Sequence, residues 1–325
     1  MKKRKDILLY VLKVVLSALL LFYIFRYKVD YQLVYDKFLT ASLPLLALAF
    51  SLHLLGFYIS AVRWKVLLKA QDIQAKTLVL MEYYIVSSFF NLLIPGRYGG
   101  DLSRIYDTSR ASRQPEKSIA VILFERGSGL FVLVFFGLVA AWYKYLSTDV
   151  TDLRKTFLVY SGMFALLLVG FLVGFLFFHP RTRRYMAVLL KLPVLSKFKQ
   201  RLGLLSRAFS IYWYARRSRN LCLLLSFLLQ LNVILHYYLI SLAFHIQGIT
   251  LVDHFVFIPI LLLVLILPLS FGGLGVRDIT VIESFRKLGA NVQAGGAFAI
   301  TDFIMQVLQG AIGGILYMLR KERPV

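Results

Sequence analysis

The fold of this chain is decided by a ten-residue stretch, Pro95-Gly96-Arg97-Tyr98-Gly99-Gly100-Asp101-Leu102-Ser103-Arg104, which recurs as Pro268-Leu269-Ser270-Phe271-Gly272-Gly273-Leu274-Gly275-Val276-Arg277. Both copies begin with a proline, which is followed by an aromatic residue three positions later, two glycines four and five positions later, and an arginine nine positions later. Proline lacks the backbone donor that a helix needs, and glycine has little helical preference. Each copy therefore predicts a break in a helix, with an arginine just beyond it.

The sequence around the two copies is strongly apolar. Of the 325 residues, 59% are hydrophobic, and apolar runs of membrane length recur along the chain. Backbone groups in lipid must be satisfied internally, and continuous rather than alternating apolar runs favour helices over a β-barrel. We therefore expect an all-α polytopic membrane protein in which residues 1–325 form a single integral membrane domain. The single cysteine, Cys222, excludes an internal disulfide, and we expect neither a metal nor a cofactor.

Six apolar runs are long enough to cross the membrane fully. They occupy residues 7–25, 43–62, 118–145, 156–178, 220–246 and 295–319. Basic residues flank the ends that should face the cytoplasm, and the second run ends at Arg63-Trp64-Lys65, which has the pattern of an interface anchor. This bias predicts a protein of the cell membrane with both termini in the cytoplasm.

A basic segment at 181–219 is the strongest cytoplasmic marker, because it contains eleven lysines or arginines and no acidic residue. Apolar residues recur in it near helical spacing, which favours an amphipathic helix on the inner leaflet; a loop that only sets topology is the alternative. The net charge of +22 could indicate nucleic acid, but the charges lie between apolar runs. An anionic membrane surface is the better partner, and we expect no nucleic acid.

Two shorter apolar segments, 78–94 and 255–267, each lead into one copy of the repeated motif. Basic residues flank the first segment on both sides, so we interpret it as a re-entrant hairpin that enters from the cytoplasm and returns through 101–112. By the same topology, the second hairpin enters from outside and returns through 278–288. A full crossing of either hairpin remains the alternative.

This order of segments predicts an inverted-topology repeat. The first unit comprises about residues 43–145 and starts outside, whereas the second comprises about residues 220–319 and starts inside. In transporters, two such units place broken helices around a central site and let access alternate between the two faces. The two copies of the motif are therefore predicted to be halves of one site.

Ionisable residues at membrane depth are costly, and they usually mark a site or a pathway. The candidates for binding a lipid headgroup are Arg97, Asp101, Arg104, Glu125, Arg126, Arg277 and Asp278. Arginine suits a phosphate because its planar fork offers several fixed donors. Asp101 and Arg104 are one helical turn apart and should be neighbours, whereas the other acid–arginine pairs should form between different elements. Buried ion pairs that only lock the hairpins are the structural alternative.

The breaks themselves could cradle an anion, because glycine lets the backbone approach closely and the N-terminus of a helix presents free amide groups. The residues predicted to act as backbone cradle and hinge are Pro95, Gly96, Gly99, Gly100, Pro268, Gly272, Gly273 and Gly275. Other polar residues within the spans are predicted to form interhelical hydrogen bonds. These are Gln230, Asn232, His236, Gln306 and Gln309. The run 310–314, rich in glycine, predicts a close helix-packing face.

Three stretches together resemble the transmembrane region of the lysylphosphatidylglycerol synthase/flippase family. They are the residues from Asn91 to Arg104, the sequence Glu125-Arg126-Gly127-Ser128-Gly129-Leu130, and the second motif extended to Asp278, where glutamate would be expected. The resemblance implies a lipid flippase that moves aminoacylated phosphatidylglycerol between leaflets. It also implies a stand-alone member without the soluble synthetase domain, associated with phospholipids or polyprenyl-linked lipids.

The expected function is thus a lipid translocase and not an enzyme. Its partners would be membrane lipids: an anionic or aminoacylated phospholipid, or a polyprenyl-linked lipid. Two other functions stay open, an intramembrane enzyme acting on a lipid phosphate with Asp101 or Glu125 as general base, and a membrane anchor for a separate lipid-modifying enzyme. Neither motif contains a metal-ligand cluster or an activated nucleophile, which argues against the enzyme. A homodimer is a further association that the sequence leaves open.

Overall fold

The computed structural model describes residues 31–94, 98–177, 199–267 and 275–319, and these residues form helices joined by short connections. The helices are α1 (Tyr31–Leu39), α2 (Leu43–Lys69), α3 (Thr77–Leu93), α4 (Gly99–Ser112), α5 (Pro115–Ser147), α6 (Thr151–Phe177), α7 (Lys199–Tyr214), α8 (Arg216–Ala243), α9 (Leu251–Ile266), α10 (Val276–Lys287) and α11 (Val292–Leu319). The all-α class predicted from the sequence is confirmed for this part of the chain.

Five of these helices, α2, α5, α6, α8 and α11, are long and apolar enough to cross a membrane. They coincide with five of the six predicted spans, while the first predicted span, 7–25, lies outside the described residues. Large apolar side chains cover their outer surfaces; Leu166 on α6, for example, is 74% exposed. Such a surface is stable in lipid and costly in water, so the chain is a multi-pass membrane protein.

Each copy of the repeated motif interrupts the helical backbone, as predicted. Helix α3 ends at Leu93 and α4 begins at Gly99, while α9 ends at Ile266 and α10 begins at Val276. Ile94 and Leu267, which follow the two preceding helices, have extended backbone conformations. Helices α3 and α9 are apolar but only 17 and 16 residues long. The two interrupted pairs therefore correspond to the predicted hairpins, whose re-entrant course stays a prediction.

Helices of the first predicted unit pack against helices of the second. Helix α3 of the first unit packs against α11 of the second, and α9 of the second unit packs against α5 of the first. Helices α2 and α8, which open the two units, pack against each other, and α4 and α10 each pack on the long helix that follows them. Each interrupted pair therefore contacts long helices of both predicted units.

Glycines on α11 make the contact with α3 close. A Cβ atom at Gly313 would overlap the carbonyl group of Ile85, and one at Gly314 would lie 3.0 Å from the ring of Phe89. The Ser88 hydroxyl of α3 also donates to the Gln309 carbonyl of α11, at 3.0 Å. The helix-packing role predicted for the run 310–314 is thereby confirmed.

Helix α7 lies in the described part of the basic segment, residues 199–219, and packs against α5. Tyr212 is completely buried, with its ring centroid 4.3 Å from that of Phe124 on α5. Its hydroxyl donates to the Leu67 carbonyl at 3.2 Å, and burial raises the pKa of this phenol. This part of α7 therefore packs on the protein, and the position of the helix on the inner leaflet stays a prediction. Residues 181–198 of the segment lie outside the described residues.

Candidate functional site

A cluster of five charged side chains, here called the arginine-rich cluster, forms where α2, α4 and α5 meet: Arg63, Asp101, Arg104, Glu125 and Arg126. Arg104 is its centre, because Nη2 lies 2.6 Å from Asp101 Oδ1 and Nη1 lies 3.1 Å from Glu125 Oε2. Arg63 Nη2 lies 2.7 Å from Glu125 Oε1, and Arg126 pairs with Asp101. Asp101 and Arg104 are neighbours as predicted, and Glu125 and Arg126 pair with residues of other helices, also as predicted.

Aromatic rings hold the central arginine in place. The guanidinium carbon of Arg104 lies 4.2 Å from the ring centroid of Tyr84 and 5.2 Å from that of Trp64. The Tyr84 hydroxyl in turn donates to the Glu125 carboxylate. Cation–π contacts strengthen when the cation is desolvated, and Arg104 is only 5% exposed. The cluster is therefore a fixed structure and not a set of mobile surface charges.

Arg63 is a member that the sequence analysis did not identify. The sequence suggested that it anchors the end of a span at the interface, but the arginine is buried and donates to Ser226 Oγ at 3.0 Å as well as to Glu125. The reason is that α2 continues to Lys69, so Arg63 lies within the helix and faces α8 and α5. The apolar residues that follow it, Leu67 and Leu68, are the signal that could have revealed this burial.

A second group, here called the aspartate cluster, forms where α8, α10 and α11 meet: His236, Arg277, Asp278, Asp302 and Gln306. Arg277 Nη1 lies 3.5 Å from Asp302 Oδ2, and Arg277 Nη2 lies 2.9 Å from Asp278 Oδ1. The second contact corrects a prediction, because adjacent Arg277 and Asp278 pair with each other as well as with another helix. Asp278 can do so because its other oxygen accepts the Gly275 amide at 2.9 Å and so caps α10.

The two clusters face one cavity of about 390 Å³. All five members of the arginine-rich cluster line it, together with His236, Asp302 and Gln306 of the aspartate cluster. Arg277 and Asp278, which were predicted to bind the headgroup, are not among the residues that line the cavity; they lie behind Asp302, in contact with it or with each other. A volume of this size lies at the lower end of the range found for small-molecule sites. Polar groups that converge on a cavity between apolar helices are costly, and they usually serve a ligand or a transported species.

Described residues on the flanks of the two breaks are in contact beside this cavity. The hydroxyl of Tyr98, the aromatic residue of the first motif, donates at 2.8 Å to the carbonyl of Ile266, the last residue of α9 before the second motif. The guanidinium carbon of Arg126 lies 5.6 Å from the Tyr98 ring centroid. The flanks of the two breaks therefore contact each other, while the prediction that the two copies are halves of one site stays a prediction.

Three of the predicted cradle and hinge residues are described, and each is constrained. A Cβ atom at Gly100 would lie 2.8 Å from the Ser87 carbonyl oxygen, and one at Gly99 would overlap the Phe90 carbonyl. Gly275 has a φ of +78°, which favours glycine. The remaining predicted residues lie outside the described residues: Pro95, Gly96, Arg97, Pro268, Gly272 and Gly273.

Three of the five side chains predicted to form interhelical hydrogen bonds do so, whereas Gln309 Nε2 has no hydrogen-bond partner among the described residues. Gln230 donates to the Gly129 carbonyl at 3.1 Å, and Asn232 donates to the Leu52 carbonyl at 3.0 Å. His236 Nδ1 lies 2.8 Å from the Ala49 carbonyl oxygen. Gln306 differs from the prediction, because its partner, Asp302, lies on the same helix.

The two clusters carry opposite formal charges. Three arginines and two carboxylates leave the arginine-rich cluster at +1, whereas one arginine and two carboxylates leave the aspartate cluster at −1 when His236 is neutral. In the part of the chain that the structure describes, no three His, Cys, Asp or Glu residues group as metal ligands would. The structure therefore contains a cavity lined by polar groups, and its positive charge lies on the side of the arginine-rich cluster.

A family described as the lysylphosphatidylglycerol synthase TM region matches residues 10–314. No curated protein and no solved structure matches the chain. The matched range includes both copies of the motif and every described residue of the two clusters.

Proposed function

Since the chain belongs to the family of the lysylphosphatidylglycerol synthase TM region, we propose that it is a lipid translocase. It moves a phospholipid or a polyprenyl-linked lipid between the two leaflets, and it does so without a catalytic step. The family itself supports a function related to membrane lipids. The observation that carries the finer proposal is the cavity between apolar helices, which the arginine-rich cluster lines together with His236 and Asp302 of the aspartate cluster.

The headgroup would occupy this cavity while the acyl or prenyl chains stay in the bilayer. Its phosphate would bind on the arginine-rich side, where the cluster has a net positive charge. Arg104 Nε and Gln309 Nε2 are buried donors that make no hydrogen bond to any described residue, and both residues line the cavity. A buried donor without an acceptor is costly, so these atoms would favour an incoming phosphate oxygen.

The exchanged packing of the two units supports an alternating mechanism. Each interrupted pair rests on the long helices of both units, so a rocking of one unit against the other would open the cavity first to one leaflet and then to the other. The breaks near Gly99 and Gly275 would absorb the change in backbone angles. In this proposal the two pairs are re-entrant hairpins of opposite orientation.

The test is leaflet exchange in liposomes that contain the purified protein. Phosphatidylglycerol, aminoacylated phosphatidylglycerol and a polyprenyl phosphate, each labelled on the hydrophobic chain near its polar end, are scored by the fraction that an external quencher can reach. We expect quenching to exceed the outer-leaflet fraction for at least one probe. Exchange of all three probes at the rate of empty liposomes would refute the proposal. A chemically altered probe, detected by mass spectrometry, would indicate the enzyme instead.

A variant with a matched control links exchange to the cavity. Arg126 is the most exposed arginine of its cluster, so Arg126→Gln removes a charged donor from the cavity wall with the least disturbance to packing. The loss of one charge-assisted hydrogen bond should slow exchange about tenfold. Arg286→Gln removes the same charge from an exposed pair with Glu283 outside the cavity, and it should leave the rate unchanged.

A further inference from the structure

The ring of His236 has a defined tautomer. Its Nδ1 lies 2.8 Å from the backbone carbonyl oxygen of Ala49, which can only accept a hydrogen bond. Nδ1 must therefore carry the proton, and in the neutral ring Nε2 is left with a lone pair. The direction of this lone pair is fixed by the packing of α8 against α2.

That lone pair faces a carboxylate. His236 Nε2 lies 4.0 Å from Asp302 Oδ1, and neither atom makes a hydrogen bond to any described residue. The residues are 3% and 1% exposed, and both line the cavity. The other carboxylate oxygen, Oδ2, is already used, because it accepts from Gln306 Nε2 at 2.7 Å and lies 3.5 Å from Arg277 Nη1.

Two acceptors thus face each other in a buried site. A proton on His236 Nε2 would replace this unfavourable contact with an ion pair, and a shortening of the 4.0 Å separation would make it a charge-assisted hydrogen bond. We propose that His236 and Asp302 form a proton-binding site, and that binding of this proton is coupled to binding of an anionic headgroup in the same cavity. The second part rests on the proposed function. The first part concerns this pair alone.

The effect of this proton on the charge balance of the cavity depends on the charged residues around the pair. Besides the pair, the charged and titratable residues that the structure describes around the cavity are His53 and Arg63 on α2, Tyr84 on α3, Asp101 and Arg104 on α4, Glu125 and Arg126 on α5, Tyr237 on α8, and Arg277 and Asp278 on α10. The His53 ring centroid lies 4.1 Å from that of His236. No charged or titratable residue of α1, α7 or α9 lies in the described lining.

The charge balance explains the coupling. Protonation of the pair changes the aspartate cluster from −1 to neutral, and the cavity then retains the +1 of the arginine-rich cluster. A phosphate monoanion would cancel this charge. Entering together, proton and anion leave the buried cavity neutral, which is the least costly state in a low-dielectric environment. The proton should therefore favour headgroup uptake, and the headgroup should favour proton uptake by the same factor.

The proton site is tested without any transport. Histidine labelled with ¹⁵N in the purified protein, with signals assigned by substituting the other histidines one at a time, reports which ring nitrogen carries the proton. We expect His236 to be protonated on Nδ1 alone at high pH and on both nitrogens at low pH. We also expect the titration to change in Asp302→Asn. A proton on Nε2 alone at high pH, or a titration that Asp302→Asn leaves unchanged, would overturn the assignment.

The coupling is tested with vesicles that contain chain-labelled phosphatidylglycerol. Because the proton favours headgroup uptake, the wild-type exchange rate should rise at least about fivefold as the pH is lowered through the range in which the ¹⁵N signals show the pair taking up its proton. His236→Gln and Asp302→Asn should each flatten this profile. The matched control is His245→Asn, because His245 is an exposed histidine outside the cavity and asparagine tolerates its φ of +51°.

The two outcomes separate the two proposals. If wild-type protein exchanges lipid and both variants that fold keep its pH profile, the coupling is wrong while the translocase stands. If wild-type protein exchanges no lipid, the proposed function fails and the coupling fails with it, whereas the proton site is still decided by the ¹⁵N signals. Thermal unfolding of each variant identifies any that has lost its fold, and the wild-type tautomer then decides alone.

Discussion

Glu125 joins two arginines, so its substitution should reveal what holds the arginine-rich cluster together. Its side chain is 2% exposed, and its oxygens lie 2.7 Å from Arg63 Nη2 and 3.1 Å from Arg104 Nη1. Glu125→Gln keeps the shape of the side chain but leaves the two guanidinium groups without their shared counter-charge. Breaking a buried ion pair in this way costs about 3–5 kcal/mol.

The measurement is the free energy of unfolding of the purified protein in mixed micelles, obtained from a denaturant titration. The matched control is Glu283→Gln, which removes the same charge from a pair with Arg286 in which the two side chains are 33% and 57% exposed. Exposed pairs contribute about 0–1 kcal/mol, so the control should unfold nearly as the wild type does. Equal stabilities of the two variants would refute the claim that the cluster is a buried, mutually dependent network.

A double substitution isolates the charge from the packing. In Glu125→Gln combined with Arg63→Gln, one positive and one negative charge are removed together, and Arg104 keeps Asp101 as its partner. The double variant should therefore be less destabilised than the sum of the two single variants, by at least about 1 kcal/mol, because the residues are in contact. Simple additivity would mean that the two residues stabilise the fold independently.

Two further substitutions test the packing. Gly313→Ala should destabilise the protein by about 1–3 kcal/mol in the same unfolding titration, because the added Cβ atom would overlap the Ile85 carbonyl. The control is Gly162→Ala, whose Cβ atom would meet nothing within 4 Å, and this variant should be as stable as the wild type or more stable. Tyr212→Phe should cost about 1 kcal/mol, because it leaves the Leu67 carbonyl without its 3.2 Å donor; a stability equal to that of the wild type would show that this hydrogen bond contributes nothing.

The general features of the fold were predictable because they follow from local sequence. Apolar runs of membrane length fix the spans within one or two turns, and the proline and paired glycines fix where the helices stop. The end of α2 was placed too early because the basic residues after Val62 looked like a boundary. Only the contact with α5 and α8 shows that Arg63 lies inside the helical bundle.

The types of residue in the site could be predicted from the sequence, but most of the pairs that these residues form could not. Asp101 and Arg104 could be paired from the sequence because three positions span one helical turn. The partner of Arg277 on α11, Asp302, could not be identified, because nothing local relates positions 25 residues apart on different helices. The proton site was hidden for the same reason, since it depends on the backbone carbonyl of Ala49, which has no signature in the sequence.

The ion pairs of the two copies show a similarity that the repeated motif alone does not. The arginines that end the two copies, Arg104 and Arg277, each pair with a carboxylate on the long helix that follows, Glu125 on α5 and Asp302 on α11. Each guanidinium also faces an aromatic ring, and for Arg277 this is Phe303 at 5.2 Å. The two halves differ in the second residue that lies beside each of these carboxylates. Glu125 is held by another arginine, whereas Asp302 faces a histidine, so the first half is suited to hold a fixed anion site and the second half to change its charge.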